Sequence, residues 1–143
     1  MRAGTEAVPL IMGMAKALEN VQTNLKETES KFRELKSYLI QELNPISGIS
    51  YHAGSADDLS IPSLINLSLD KEKFNEMTLF QLDLAGIAVS GGSACSSGAI
   101  KGSHVLGHLD ATNENIALRI SFSKYTIKEE LDYFIDILRG LES

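Results

Sequence analysis

Ile116-Ala117-Leu118-Arg119-Ile120-Ser121-Phe122-Ser123 alternates large apolar residues with small or polar ones, the period-two signature of a strand with one buried face. A short way on, Thr126-Ile127-Lys128-Glu129 has the form of a capping box, in which Thr accepts from the first-turn backbone and Glu reaches back. The helix it opens is expected to bury Leu131, Phe134, Ile135 and Leu138. Upstream, Ile65, Leu67 and Leu69 alternate with Asn66 and Ser68, a second half-buried strand. Ile49 to Tyr51 reads as a short strand, followed by a polar loop from Ala53 to Ser60, and His52 reads as a loop residue.

Between the two clear strands, Lys71 to Ala85 reads as a helix with Phe74, Met77, Phe80 and Leu84 on one side. Gly86 is placed as its C-terminal stop, and Ile87-Ala88-Val89 follows as a short strand. Val8 to Leu43 reads as helix, in one piece or two, its second half lining Leu25, Thr28, Phe32, Leu35 and Leu39 along one face. Glu27–Lys31 and Glu29–Arg33 are favourable i,i+4 pairs on its other faces, and Asn44-Pro45 ends it, because proline disfavours helix in the residue before it. His104 to Leu109 allows a turn or two more. The order helix, strands, helix, strand, strand, helix fits a two-layer α+β domain with a mainly antiparallel sheet packed with helices.

The bulk properties agree with one domain. The chain has 143 residues, 43% hydrophobic and 22% charged, enough for one core. A net charge of −6 argues against a nucleic-acid binder, which needs surplus Lys and Arg. No apolar run approaches the roughly 20 residues of a membrane span, and the N-terminus lacks a secretory pattern, so no membrane partner is expected. One cysteine forms no internal disulfide, which suits a reducing cytoplasmic setting.

That cysteine, Cys95, sits in Ser90-Gly91-Gly92-Ser93-Ala94-Cys95-Ser96-Ser97-Gly98-Ala99. A cysteine placed for packing has apolar neighbours. Here every neighbour is small, and glycines on both sides let another molecule approach closely. This is the layout of a reactive thiol, though no Lys or Arg lies within five residues to favour its thiolate. Arg119 falls on the strand face opposite the Ile/Leu/Phe row, between Ala117 and Ser121. There it either grips a carboxylate bidentately or is a surface arginine on a solvated sheet. Arg2-Ala3-Gly4-Thr5 precedes a helix, where Thr5 either presents a hydroxyl to an anion or caps the helix. His104 and His108 have an i,i+4 spacing that zinc can use, but no third ligand accompanies them, and no metal site is expected.

Taken together these runs resemble the C-terminal part of the NifS/IscS-like, group I cysteine desulfurases, class V aminotransferase-like enzymes that use pyridoxal 5'-phosphate (PLP). Arg2-Ala3-Gly4-Thr5 is similar to the family's R-[SA]-G-T segment and Ile65-Asn66-Leu67-Ser68 to its N-x-S strand. Val89 to Gly98 matches its S-A-C-[TS]-S loop, and Arg119-Ile120-Ser121-Phe122 its R-[FIV]-S-[LF] run. The resemblance implies that residues 1–143 are the small C-terminal domain of a fold-type I PLP enzyme. Cys95 would attack the sulfur of PLP-bound L-cysteine, becoming a persulfide and releasing alanine. Arg119 would hold the substrate carboxylate, and Thr5 would bind the PLP phosphate of the other subunit of a homodimer. The sulfur would pass to an acceptor or iron–sulfur scaffold protein. The family's PLP lysine lies upstream of R-x-G-T, so the chain is expected to be excised from a longer enzyme and inactive alone. Lys101-Gly102 stands where many members have Glu-Pro, and Ser123-Lys124-Tyr125 replaces an L-G-R continuation. A selenocysteine lyase or other class V PLP lyase, a PLP-independent persulfide relay module, and a structural domain with an inert thiol are the alternatives.

Overall fold

A computed structural model describes residues 4–52, 54–57, 59–91 and 115–142. Its sheet is built on β2 (Leu64–Leu69), flanked on one side by β1 (Ile49–Tyr51) and on the other by β3 (Ile116–Ser121), all antiparallel. The register sets Ile65 opposite Ile120, Leu67 opposite Leu118 and Leu69 opposite Ile116, so the apolar member of each alternating pattern lands on the same face. Ile65, Leu67 and Leu69 are fully buried there. The helices fill the second layer. Leu35, Leu39 and Leu43 come from α1 (Val8–Leu43), Leu82 from α2 (Thr78–Leu84), and Leu131, Phe134, Ile135 and Leu138 from α3 (Lys128–Gly140); together with the sheet residues they form one core cluster. The two-layer α+β expectation and the buried face of α3 both hold.

Four local expectations need correction. The helix between β2 and β3 begins at Thr78, not Lys71. The Asp70 carboxylate accepts the Glu72 N–H at 2.9 Å and Asn75 Oδ1 accepts the Met77 N–H at 2.9 Å; such local turns compete with helix. Its buried face is consequently different: Phe74, Thr78 and Leu82 are inside, whereas Met77, Phe80 and Leu84 are exposed. Ile87-Ala88-Val89 is not a strand, and only Ser90 bridges to β3. Finally, the capping box is displaced by one residue. Glu130, rather than Glu129, accepts the Ile127 N–H at 3.1 Å, while Thr126 Oγ1 accepts the Ser123 N–H at 3.0 Å. Gly86, with φ +79, does end α2 in the left-handed conformation that favours glycine. The helix predicted over His104 to Leu109 lies outside the described residues.

α1 is a single unbroken helix of 36 residues, and only its C-terminal third is covered. Leu10 and Met14 are 75% and 70% exposed, and Leu25, expected on the packed face, is exposed too. Against α3, the Tyr38 hydroxyl donates to the Asp132 carboxylate, and Lys128 Nζ stands 4.0 Å from the centre of the Tyr38 ring. The Asp132 hydrogen bond, aided by partial burial, pushes the Tyr38 hydroxyl up to about 12.

Because only the C-terminal third of α1 enters the core, Leu39→Ala should cost about 2–5 kcal/mol of unfolding free energy in the chain, whereas Leu18→Ala should stay within about 0.5 kcal/mol, both read from urea midpoints. Tyr38 titrates higher when folded than the ordinary value near 10. Its stabilising bond is therefore complete below about pH 10 and lost as pH rises through about 12. Asp132→Asn should move the tyrosinate absorbance step of Tyr38 to lower pH.

Candidate functional site

The face of the sheet opposite the core carries the polar half of each alternating strand. Arg119 is at its middle and exposed, with Ala117 and Ser121 on either side along β3. Both of its backbone groups are taken by Ser90: the Ser90 N–H donates to the Arg119 carbonyl at 3.1 Å, and the Arg119 N–H donates to the Ser90 carbonyl at 2.7 Å. On the other side Arg119 pairs with Asn66. Directly opposed residues of an antiparallel pair point to the same face, so Asn66, Arg119 and Ser90 make a row across β2, β3 and the bridging Ser90. Among the described residues, the side chains of these three form no hydrogen bond or ion pair with protein groups. A guanidinium with five unused donors on a face of small side chains is suited to a planar anion such as a carboxylate.

Next in sequence comes Gly91. A Cβ there would lie 3.1 Å from Leu79 Cδ2 and 3.3 Å from the Ala117 carbonyl oxygen, so the segment leaving Ser90 lies close against β3. Just before it, residues 86–89 splay from the end of β3 and from α3, leaving an open cleft of about 580 Å³ lined by Ile87, Val89, Phe122, Glu129 and Tyr133. Cys95 lies outside the described residues, as do His104, His108, Lys101 and Arg2. Among the described residues no group of three His, Cys, Asp or Glu side chains could hold a metal ion, and no helix is long and apolar enough to cross a membrane.

Thr5 is exposed and stands outside α1, whose N-cap is Ala7 with no side-chain hydrogen bond. Its hydroxyl is therefore not the helix cap. Val8 and Phe32, where α1 begins to be covered, are separated by about 36 Å at 1.5 Å per residue, so Thr5 and Arg119 are not brought together within one chain. His52, expected in a loop, is buried, and its N–H donates to the Asn66 carbonyl at 3.0 Å. The Ser55 hydroxyl completes that edge, donating to the Asn66 carbonyl at 2.8 Å and accepting its N–H at 3.2 Å. The alternation of β2 put Asn66 on the polar face, but nothing in the sequence paired it with Arg119.

The model of the aminotransferase class-V family matches residues 1–134. The chain belongs to that family. It is 37% identical to the cysteine desulfurase IscS of Dictyoglomus turgidum over 142 residues, covering 98% of this chain and 36% of that one. To a cysteine desulfurase of Gluconacetobacter diazotrophicus it is 34% identical, over 98% of this chain and 35% of the relative. The chain thus spans about a third of the curated relatives it matches. A NifS-like protein from Rickettsia africae superposes with a TM-score of 0.77 at 22% identity, over 98% of this chain and 36% of that one. A second NifS-like protein does so with 0.74 at 29%, over 97% and 34%.

Class-V membership implies PLP in general, and the described residues fit part of its binding requirement. Thr5 offers a hydroxyl beside a helix start, which suits the cofactor's phosphate, whereas Arg119 suits the carboxylate of a substrate, PLP itself having none. No lysine occupies β2, β3 or residues 87–90 around Arg119, so these residues supply contacts and not the covalent anchor. Because Gly91 is pressed between Leu79 and a backbone oxygen, Gly91→Val should open the Ser90 bridge. The Arg119 amide should then exchange with deuterium about tenfold faster or more, while Gly140→Ala, with open space around it, leaves that rate unchanged.

Proposed function

We propose that residues 1–143 are the small C-terminal domain of a PLP-dependent cysteine desulfurase, moving sulfur from L-cysteine to a persulfide on Cys95 with release of L-alanine. The observation that carries the reading is the unpartnered Arg119 guanidinium, held by its backbone to Ser90, at the head of the segment that leads to Cys95. Five residues of chain span at most about 18 Å, so the chain length between Ser90 and Cys95 permits the thiol to meet a ligand of Arg119. The cysteine desulfurase relatives support the reading.

Each residue then has a task. Arg119 binds the α-carboxylate and fixes the substrate so that its sulfur faces the cysteine loop. Cys95, as thiolate, attacks that sulfur; the new S–S bond forms as the substrate's C–S bond breaks, and its electron pair goes to the carbon fragment that leaves as alanine. PLP, when bound, supplies the electron sink for such chemistry. Thr5 contacts the PLP phosphate of the partner subunit, in keeping with its distance from Arg119 in its own chain. The persulfide is handed to an acceptor protein, for iron–sulfur cluster or thio-cofactor assembly, in the cytoplasm.

The test uses the full-length protein that carries this domain. Cys95→Ala should lower alanine release from L-cysteine by about 1,000-fold or more while PLP absorbance persists, and wild-type Cys95 should gain one sulfur atom by mass. Arg119→Ala should lower kcat/KM about 100-fold, the loss expected for a bidentate charge-assisted pair. Alanine release that survives without Cys95 would transfer the assignment to a selenocysteine lyase or another class V PLP lyase.

A further inference from the structure

Arg119 does not stand alone on its face. Its own N–H and C=O point to Ser90, away from β2, and those of Asn66 point to His52 and Ser55, away from β3. The Asn66–Arg119 pair is therefore the narrow, non-hydrogen-bonded kind, with Cα atoms about 4.5 Å apart and side chains closest together. The Arg119–Ser90 pair is the wide kind, about 5.5 Å, and the short serine side chain reaches less far across it. Asn66 is half-buried, with its backbone fixed by three hydrogen bonds, yet its amide has no protein partner among the described residues. Such a group is costly to leave unsatisfied once a ligand covers it.

We infer that Asn66 is a second ligand of the anion that Arg119 binds, its Nδ2 amide donating to a carboxylate oxygen whose other lone pairs face the guanidinium. The inference rests on the carboxylate-clamp reading of Arg119 and adds to it. A bidentate guanidinium occupies one edge of a carboxylate and leaves outward lone pairs open. An amide donor one strand away, on the β2 side, is placed to fill one of them. The pair then selects for a carboxylate twice, by charge through Arg119 and by donor geometry through Asn66. An amine of similar size without a carboxylate gains nothing from either.

The test is calorimetric binding of L-alanine and of ethylamine, which lacks the carboxylate, to the full-length PLP-loaded protein. Asn66→Ala should weaken L-alanine about tenfold or more, as for a hydrogen bond to a charged group, and leave ethylamine unchanged. Asn66→Asp keeps the shape but sets an anion against the ligand, so it should weaken L-alanine further. If both Asn66 variants bind L-alanine as the wild type does while Arg119→Ala loses it, Asn66 is no ligand and the clamp stands. If Asn66→Ala weakens both compounds equally, it acts through the fold and the inference is overturned. If Arg119→Ala also binds L-alanine normally, the clamp reading itself is wrong and this inference falls with it.

Discussion

β2 and β3 meet along six residues each in a single register, and the molecule depends on that alignment. Because side chains alternate with period two, a slip of one residue would carry Arg119 into the apolar cluster and put Leu118 and Ile120 in water. Burying an unpaired guanidinium costs far more than the burial of two aliphatic side chains returns. The leucines and isoleucines of this pair therefore do more than hold the helices. They lock the face on which Arg119, Asn66 and Ser90 form a row.

Much of the fold was legible because its strongest signals are periodic. The alternations of β2 and β3, and the apolar stripe of α3, required no knowledge of partners. What was not legible depended on groups far apart in sequence or on local competition. Met77, Phe80 and Leu84 have helical spacing as good as that of Thr78 and Leu82, and the tertiary packing decides that Thr78 and Leu82 go inside. The side chains of Asp70 and Asn75 draw nearby N–H groups into turns, so α2 starts later than its apolar residues suggest. Ile87 and Val89 have strand-like composition, yet they splay from β3 and leave a cleft.

For the site, the residues of the cysteine loop and the R-x-S run pointed to one family from motif alone, and the membership stands. Arg119 was placed on the polar face by alternation, as the structure has it. The choice between a clamp and a solvated surface arginine is not in the sequence, and an exposed guanidinium without protein partners, among the described residues, is what either reading expects. Asn66 was visible only as part of a motif. Its proximity to Arg119 comes from pairing between strands more than fifty positions apart, which no local pattern encodes. Thr5 has the residue type of a helix cap, but Ala7 holds the cap position of α1.

The uninterrupted course of α1 has a mechanical consequence. The helix is gripped by the core only from about Phe32 onward, and a continuous α-helix resists bending. Val8 and Leu35 are separated by about 40 Å at 1.5 Å per residue, so relative to this core the portion that residues 4–142 leave uncovered is a lever arm fixed at one end to the sheet. A rigid-body rotation of the sheet by about 5° would swing the start of that arm through about 3–4 Å, more than the length of a hydrogen bond. Small tilts at the Arg119 face are in this way magnified at Gly4 and Thr5.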